Sequence, residues 1–167
     1  MQYTGDALKI IPIKESLLPQ VLQVYRQCED FLSLGPAPTA TMEMVKTDIE
    51  ESKRENGIYS GIEDGTGKLI GIVDYVPCTY KGNPRHAFIS LIMIAAAERD
   101  KGYGKKSIAE IEARIREDGQ ITAIFSAVQT NNERAIKFWK EMGYKIVSGP
   151  EQRPDSTVVY RLRKDLQ

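Results

Sequence analysis

Glu98-Arg99-Asp100-Lys101-Gly102-Tyr103-Gly104-Lys105-Lys106 decides how the rest of the chain is read. It joins the apolar run Ala87–Ala97 to the segment Lys105–Glu117, whose Ile108, Ile111 and Ile115 recur at helical spacing. The apolar run lacks alternation, which predicts a central strand covered on both faces. Two glycines one residue apart, Gly102 and Gly104, let the backbone turn sharply and aim its N–H groups at a ligand without Cβ interference. The helix that follows adds unpaired N–H groups and roughly half a positive charge at its start. Arg99, Lys101, Lys105 and Lys106 outnumber Glu98 and Asp100. These features predict a site for a phosphate-bearing ligand. Two familiar phosphate loops are excluded. Arg99 and Lys106 break the Walker pattern G-x-x-x-x-G-K-[ST], and Ser107 stands where G-x-G-x-x-G needs its third glycine.

Upstream, Leu8–Ile13 reads as a first strand. Helical spacing continues from Ser16 to about Leu32, with Pro19 near the start where its missing N–H is harmless. Gly35-Pro36-Ala37-Pro38 breaks that helix, and Thr41–Arg54 is a second, more polar one. Ile58–Ile62 and Lys68–Val76 flank Glu63-Asp64-Gly65-Thr66-Gly67, a strong hairpin signal. Downstream come a strand Ile121–Val128, a helix Asn132–Met142 stopped by Gly143, and strands Ile146–Val147 and Thr157–Arg163. The order β-α-α-β-β-β-α-β-α-β-β predicts an α+β (mixed α/β) fold around a largely antiparallel sheet of about seven strands flanked by four helices.

The chain has 167 residues, which suits one domain over 1–167 rather than two. Lys+Arg and Asp+Glu each number 23, so no large basic face is available for nucleic acid. An apolar fraction of 41% supports a real core, yet no stretch approaches the ~20 apolar residues of a membrane span. The N-terminus lacks a charged-then-apolar export pattern, so the expected compartment is cytoplasmic. Cys28 and Cys78 are then expected as reduced thiols, and no cysteine–histidine set of metal-ligating spacing is present.

Arg99-x-x-Gly102-x-Gly104 matches R-x-x-G-x-G, the pyrophosphate loop of the GNAT superfamily of acyl-CoA N-acyltransferases, which this sequence resembles. A second element agrees: Asn132-Glu133-Arg134-Ala135-Ile136-Lys137-Phe138-Trp139-Lys140-Glu141-Met142-Gly143-Tyr144 is similar to the family's N-x-x-A-x-x-F-Y-x-x-x-G-[FY] segment. The order of elements agrees along essentially the whole chain. The resemblance implies a sheet splayed between its fourth and fifth strands, with the pantetheine of acetyl-CoA along the exposed backbone of Ile92–Ala96, where Ile92, Met93 and Ile94 are the residues expected to bind it. It implies that Arg99, Asp100, Lys101, Gly102, Tyr103, Gly104 and Lys105 wrap the diphosphate, mainly through main-chain N–H groups. Asn132, Ala135 and Phe138 fall within the matched segment; Asn132 would bond the pantetheine arm, cap the helix, or do both. Lys137 or Lys140 would reach the nucleotide end.

The implied reaction is direct attack of a primary amine, on a small molecule or peptide, on the thioester of acetyl-CoA, with no metal and no covalent enzyme intermediate. A homodimer is a further family-level expectation. One departure matters. Trp139 stands where many members carry the Tyr thought to protonate the leaving thiolate, and indole does not give up its proton at useful pH. Trp139 would stabilise the thiolate, or Tyr103, Tyr144 or water would supply the proton. A member of the fold that binds CoA without turnover is the alternative this leaves open. Presenting a lysine-like amine of pKa ~10.4 in neutral form at pH 7 costs about 4.6 kcal/mol, against roughly 1.4 for an α-amine near ~8. A base is useful in the first case. Candidates are Asp74, Glu98 and His86, with Ser90 as a relay, although the position of His86 beside Arg85 also suits a surface histidine. The acceptor side would be Phe31–Thr41, preceded by Glu29 and Asp30, which either attract a cationic amine or form a solvated helix end.

Overall fold

The computed structural model describes residues 7–166. Its strands are β1 (Lys9–Pro12), β2 (Ile58–Glu63), β3 (Leu69–Val76), β4 (His86–Ile94), β5 (Ala123–Gln129), β6 (Lys145–Gln152) and β7 (Val158–Asp165). Its helices are α1 (Leu18–Arg26), α2 (Glu29–Leu32), α3 (Met42–Arg54), α4 (Tyr103–Arg116) and α5 (Glu133–Glu141). The seven strands form one sheet in the order β1-β2-β3-β4-β5-β7-β6, antiparallel everywhere except at β4/β5. The mixed fold and its seven strands are those expected.

α1 and α3 pack on β2–β4 on one face of the sheet, and α4 and α5 cover β4 and β5 on the other. Val21, Val24, Tyr25 and Val45 meet Ile72 and Met93 on the first face. On the second, Ile108, Ile111 and Ile115 of α4 meet Ala87, Ile89 and Ile124. Each helix therefore buries the stripe its periodicity defines. The β2–β3 turn is held by Asp64, whose carboxylate accepts from Thr66 N, Thr66 Oγ1 and Lys68 N.

Three expected elements are corrected. The helix expected from Ser16 to Leu32 breaks after Arg26 into α1 and α2, giving five helices rather than four. No Gly or Pro marks the break; burial of Cys28 against the end of β4 imposes it, the thiol donating to Ile94 O at 3.4 Å. The strand expected over Ala87–Ala97 ends at Ile94 and gives way to a 3-10 turn at Ala96–Glu98. Nor is β4 covered on both faces throughout, since Ser90 is exposed and its neighbours Leu91 and Ile92 are half-buried. Finally, β6 is longer than Ile146–Val147, but its register slips on both sides of Ser148. It is an edge strand exposed at every residue, so no buried apolar face marks it.

Candidate functional site

β4 and β5 run parallel only from His86↔Ala123 to Ile89↔Ser126. At that point Ser126 turns its hydroxyl onto Ile89 O at 2.8 Å, closing the ladder with a side chain. The next residue, Ser90, is a β-bulge: Tyr75 pairs with Ile89 and Asp74 with Leu91, leaving Ser90 without an opposite number. The extra residue exchanges the faces of the strand. Ala87 and Ile89 belong to the α4/α5 core, whereas beyond the bulge it is Ile92 and Ile94 that pack against it. Twist added at the bulge carries β4 away from β5 and opens a fork.

The fork exposes backbone. Ala95 N donates to Ile70 O at 2.8 Å, which places its amide toward β3. Alternation along an antiparallel ladder then turns Met93 and Leu91 toward β3 as well, and Ile92 and Ile94 toward the fork. The Ile94 carbonyl is occupied by Arg99 Nε at 3.0 Å and by the Cys28 thiol. The Ile92 amide and carbonyl and the Ile94 amide have no strand to pair with. This is an open edge inside the molecule, bordering a cleft of about 740 Å³.

The cleft runs to the start of α4. Gly102 is the N-cap at φ +85°, and no side chain caps the helix. The Tyr103, Gly104 and Lys105 amides are thus orphan donors at the positive end of a 14-residue helix. Asp100 is also left-handed, at φ +63°, so two such residues wrap the loop into a concavity. Gly104 is needed for a different reason. A Cβ there would lie 3.3 Å from Phe138 Cε2 and 3.9 Å from Ile94 Cγ1, so glycine lets α4 seat against α5 without the Phe138 ring giving way.

Of the residues expected to hold the coenzyme, all but Lys101 and Lys140 line this cleft. Lys101 turns aside to Glu98 at 3.0 Å, an exposed pair worth little. Lys137 is placed at the cleft and Lys140 outside it. The Arg99 guanidinium does not face the loop mouth. It grips both carboxylate oxygens of Asp30 on α2 and holds the Asp30 carboxyl below its ordinary range. Lys105 pairs with Glu141 at 3.0 Å and Arg134 with Asp100 at 3.1 Å, both on the surface. Asn132 caps α5, its oxygen accepting from Ala135 N at 3.0 Å, and the residue lines the cleft.

Trp139 is 4% exposed and wedged edge-on between Phe138 and Tyr144, at ring distances of 5.4 and 4.8 Å. Among the described residues no fully buried side-chain nitrogen or oxygen lacks a partner, and no protein group bonds the indole N–H. That N–H is therefore reached by solvent, and Trp139 lines the cleft. Tyr144 is turned the other way. Its hydroxyl donates to Glu112 Oε2 at 2.7 Å, and burial pushes its pKa far up.

Ser90 faces the cleft, while Asp74 stands behind it and does not line the cleft. Asp74 Oδ1 accepts from Ser52 at 2.7 Å, and the Ser90 hydroxyl donates to the Asp74 carbonyl at 3.0 Å. Burial raises the Asp74 carboxyl above its ordinary value, against the Ser52 hydroxyl, which lowers it. Of the other base candidates, Glu98 is held below its ordinary range, chiefly by Lys101. His86 sits at the far end of β4 against the Phe125 ring at 4.9 Å, away from the cleft.

Two carboxylates near the acceptor side have structural duties. Asp30 binds Arg99, and Glu29 Oε2 accepts from Ala40 N at 3.0 Å, pinning the α2–α3 connection. Sequence reading did not single out Ser126, which locks the fork, or Arg153, which lines the cleft from the β6–β7 turn. The turn chemistry of Pro154-Asp155-Ser156 was visible in the sequence, but the cavity it borders was not. No helix among the described residues is long and apolar enough to cross a membrane.

Residues 18–144 match the model of the acetyltransferase (GNAT) family. A 70-residue stretch is 34% identical to a probable N-acetyltransferase (san) of Drosophila melanogaster, covering 42% of this chain and 38% of that one. The chain therefore matches well under half the length of that curated relative. The fold is shared with an acetyltransferase from Thermus thermophilus, at TM-score 0.79 and 17% identity over 96% of this chain and 97% of the other. It is also shared with a Vibrio cholerae spermidine N-acetyltransferase in complex with CoA and spermine, at TM-score 0.71 and 17% identity over 95% of each chain.

Proposed function

This chain belongs to the acetyltransferase (GNAT) family, and from that premise we propose that it is one N-acetyltransferase domain moving an acetyl group from acetyl-CoA to a primary amine of a small molecule or peptide. The observation that carries this reading is the fork past Ile89↔Ser126, whose unpaired β4 edge leads to the uncapped N-terminus of α4. The Ile92 and Ile94 edge offers the two-sided hydrogen bonding that the amides of a pantetheine arm need. The Tyr103–Lys105 amides suit a diphosphate. The ion pairs of Lys105 and Arg134 lie on the surface, where they cost little to rearrange around an anion.

In the reaction, the amine nitrogen attacks the thioester carbon in a ternary complex. The carbonyl oxygen becomes an oxyanion, for which the Ile92 or Ile94 amide is the donor at the fork. The C–S bond then breaks, CoA leaves as thiolate, and the amide nitrogen loses its proton. The solvent-reached N–H of Trp139 donates a hydrogen bond to the thiolate, and water supplies the proton that indole cannot. The amine's proton leaves through water at Ser90 to the Asp74 carboxylate behind it, because the Ser90 hydroxyl itself is held on the Asp74 main-chain carbonyl, which takes no proton. If so, kcat/KM climbs with pH as Asp74 ionises, at a pH above the ordinary carboxylate range because its folded pKa is raised. Asp74→Asn should abolish that limb while keeping the Ser52 hydrogen bond; an unchanged pH profile would remove Asp74 from the chemistry.

A second prediction concerns the departure from the family pattern. Trp139→Tyr should retain turnover or raise it, while costing about 1–2 kcal/mol of stability because a smaller ring leaves a void beside Tyr144. Loss of stability with turnover abolished at full CoA occupancy would contradict the role given to the indole.

The testing experiment is a thermal-shift measurement with CoA together with thiol release from acetyl-CoA over polyamines, amino acids, aminoglycosides and peptides. CoA should raise the Tm, and at least one amine should release thiol. Stabilisation by CoA without release over the whole panel would favour a CoA-binding member without turnover, the reading that Trp139 keeps open. No stabilisation at all would end both.

A further inference from the structure

Acids and cations are unevenly matched around the cleft. Every carboxylate that lines it is already paired: Asp30 with Arg99, Glu98 with Lys101, Asp100 with Arg134 and Glu141 with Lys105. Five cations line it, namely Arg99, Lys105, Arg134, Lys137 and Arg153. The first four reach a carboxylate, Lys137 only at 4.0 Å from Glu141. Arg153 has none within ion-pair distance among the described residues. Asp155, on the same turn, is held by Thr157 N at 2.9 Å and Thr157 Oγ1 at 2.6 Å and keeps its charge, on which Arg153 acts from beyond ion-pair distance.

Arg153 also stands apart from the paired cations. Lys105, Arg134 and Lys137 stand on α4 and α5 and Arg99 is tied to Asp30 on α2, whereas Arg153 lines the cleft from the β6–β7 turn, its amide bonded to Thr157 O at 2.8 Å, beside the Leu34–Gly35 segment. The two segments approach each other: a Cβ on Gly35 would lie 3.6 Å from Gln129 Nε2 and 3.9 Å from Thr157 Cγ2. A second unpaired cation stands behind. Arg161 neighbours the cleft residue Ala127 across β5/β7, and its guanidinium donates to the Tyr80 hydroxyl rather than to an acid. Tyr80 is itself fixed by stacking on Phe88 at 4.4 Å. Burial raises the pKa of the Tyr80 hydroxyl, and Arg161 and Arg153 both oppose that rise, so the two guanidinium groups act on one point; Glu55 is the acid acting there.

Resting on the acyltransfer reading above, we infer that the acceptor amine carries an anionic group, a carboxylate or a phosphate, that Arg153 receives from the β6–β7 turn, with Arg161 and Tyr80 behind it. A planar guanidinium with no carboxylate in ion-pair contact suits such a group bidentately. A polyamine would meet Arg153, while of the two carboxylates before the acceptor segment Asp30 is matched by Arg99 and Glu29, bonded to Ala40 N, does not line the cleft. Selection against purely cationic amines follows from the same charge arrangement.

Matched acceptors test this. Thiol release is measured for O-phosphoethanolamine against ethanolamine, for leucine against leucinamide, and for spermidine, with wild type and Arg153→Gln. At least one anionic acceptor should exceed its neutral partner about tenfold or more in kcat/KM, and the substitution should erase that advantage. The anionic acceptor should lose far more in kcat/KM than its neutral partner loses. The pair showing the advantage tells phosphate from carboxylate. Spermidine or the neutral amines turning over as well as the anionic ones would overturn the inference, as would an equal loss for all acceptors in Arg153→Gln. Should no acceptor release thiol, the catalytic reading fails, and calorimetric titration of O-phosphoethanolamine and leucine into CoA-loaded protein decides the site alone. Binding lost in Arg153→Gln upholds it; no binding to wild type overturns it.

Discussion

Replacing Gly104 by Glu is expected to weaken CoA binding by about 100-fold or more while the protein remains folded. Gly104 is the second residue of α4, and its amide is one of three orphan donors at the loop. A side chain there starts 3.3 Å from the Phe138 ring, which has to yield, and continues into the cleft that both residues line. The carboxylate then stands where a diphosphate would, and like-charge juxtaposition costs several kcal/mol, of which about 3 already exceeds a hundredfold in Kd. The fold has less reason to suffer. Glu has a better helix propensity than Gly, and a negative charge suits the first turn. Calorimetric titration of CoA and urea unfolding of the same sample separate the two effects. A folded variant with wild-type affinity would show that the diphosphate does not sit on this loop.

The largest effect on stability is expected at Lys164, on the far side of α4. Its ammonium donates to Glu112 Oε1 at 2.9 Å and to Met142 O at 2.8 Å, and Tyr144 occupies the other Glu112 oxygen. Glu112 is 6% exposed, so Lys164→Met leaves a buried carboxylate without its counter-charge. Breaking a buried pair from one side costs about 3–5 kcal/mol, and the lower figure applies because the Lys164 side chain is 22% exposed. Urea unfolding should therefore report a loss of about 3 kcal/mol. CoA affinity of the folded fraction should hold, since Glu112 lies eight residues, or about 12 Å, along α4 from Gly104. The double variant Glu112→Leu/Lys164→Met should recover much of the loss, because it removes the stranded charge together with its partner. A single-variant loss below about 1 kcal/mol would mean that Glu112 is better solvated than its burial indicates.

These two results bear on different layers of the molecule. The glycine effect follows from a local motif and a helix terminus. The lysine effect comes from β7, α4 and the end of α5 meeting around one carboxylate, a relation that no spacing in the chain announces.

Much of the site was legible because its parts are local. Gly102 and Gly104 between an apolar run and an amphipathic helix define a turn whose amides point outward, whatever packs around it. Asn132 ahead of the α5 stripe defines a cap, and the structure has that cap. Even the order of strands and helices follows from period and punctuation, since each element must bury one face. The misreadings arose where long-range contact overrode local pattern. The break between α1 and α2 has no breaker residue and exists because Cys28 is drawn under β4. The exposed Ser90 lies in a run that reads as fully buried, because only the divergence of β5 uncovers it.

Charge told least. Counting Arg99, Lys101, Lys105 and Lys106 against Glu98 and Asp100 suggested a surplus of cations at the loop, but Asp30 and Glu141 arrive from elsewhere in the chain to match Arg99 and Lys105. The same pairing withdraws Asp30 from the acceptor side, where its position in the sequence had made it a candidate for holding an amine. The chain alone therefore determines where backbone donors are left unpaired, since that depends on residues within one turn of each other. Which side chains remain free to meet a substrate was decided only by the tertiary structure. Ion pairing and burial depend on distances between segments far apart in sequence, and those distances exist only once the sheet has forked.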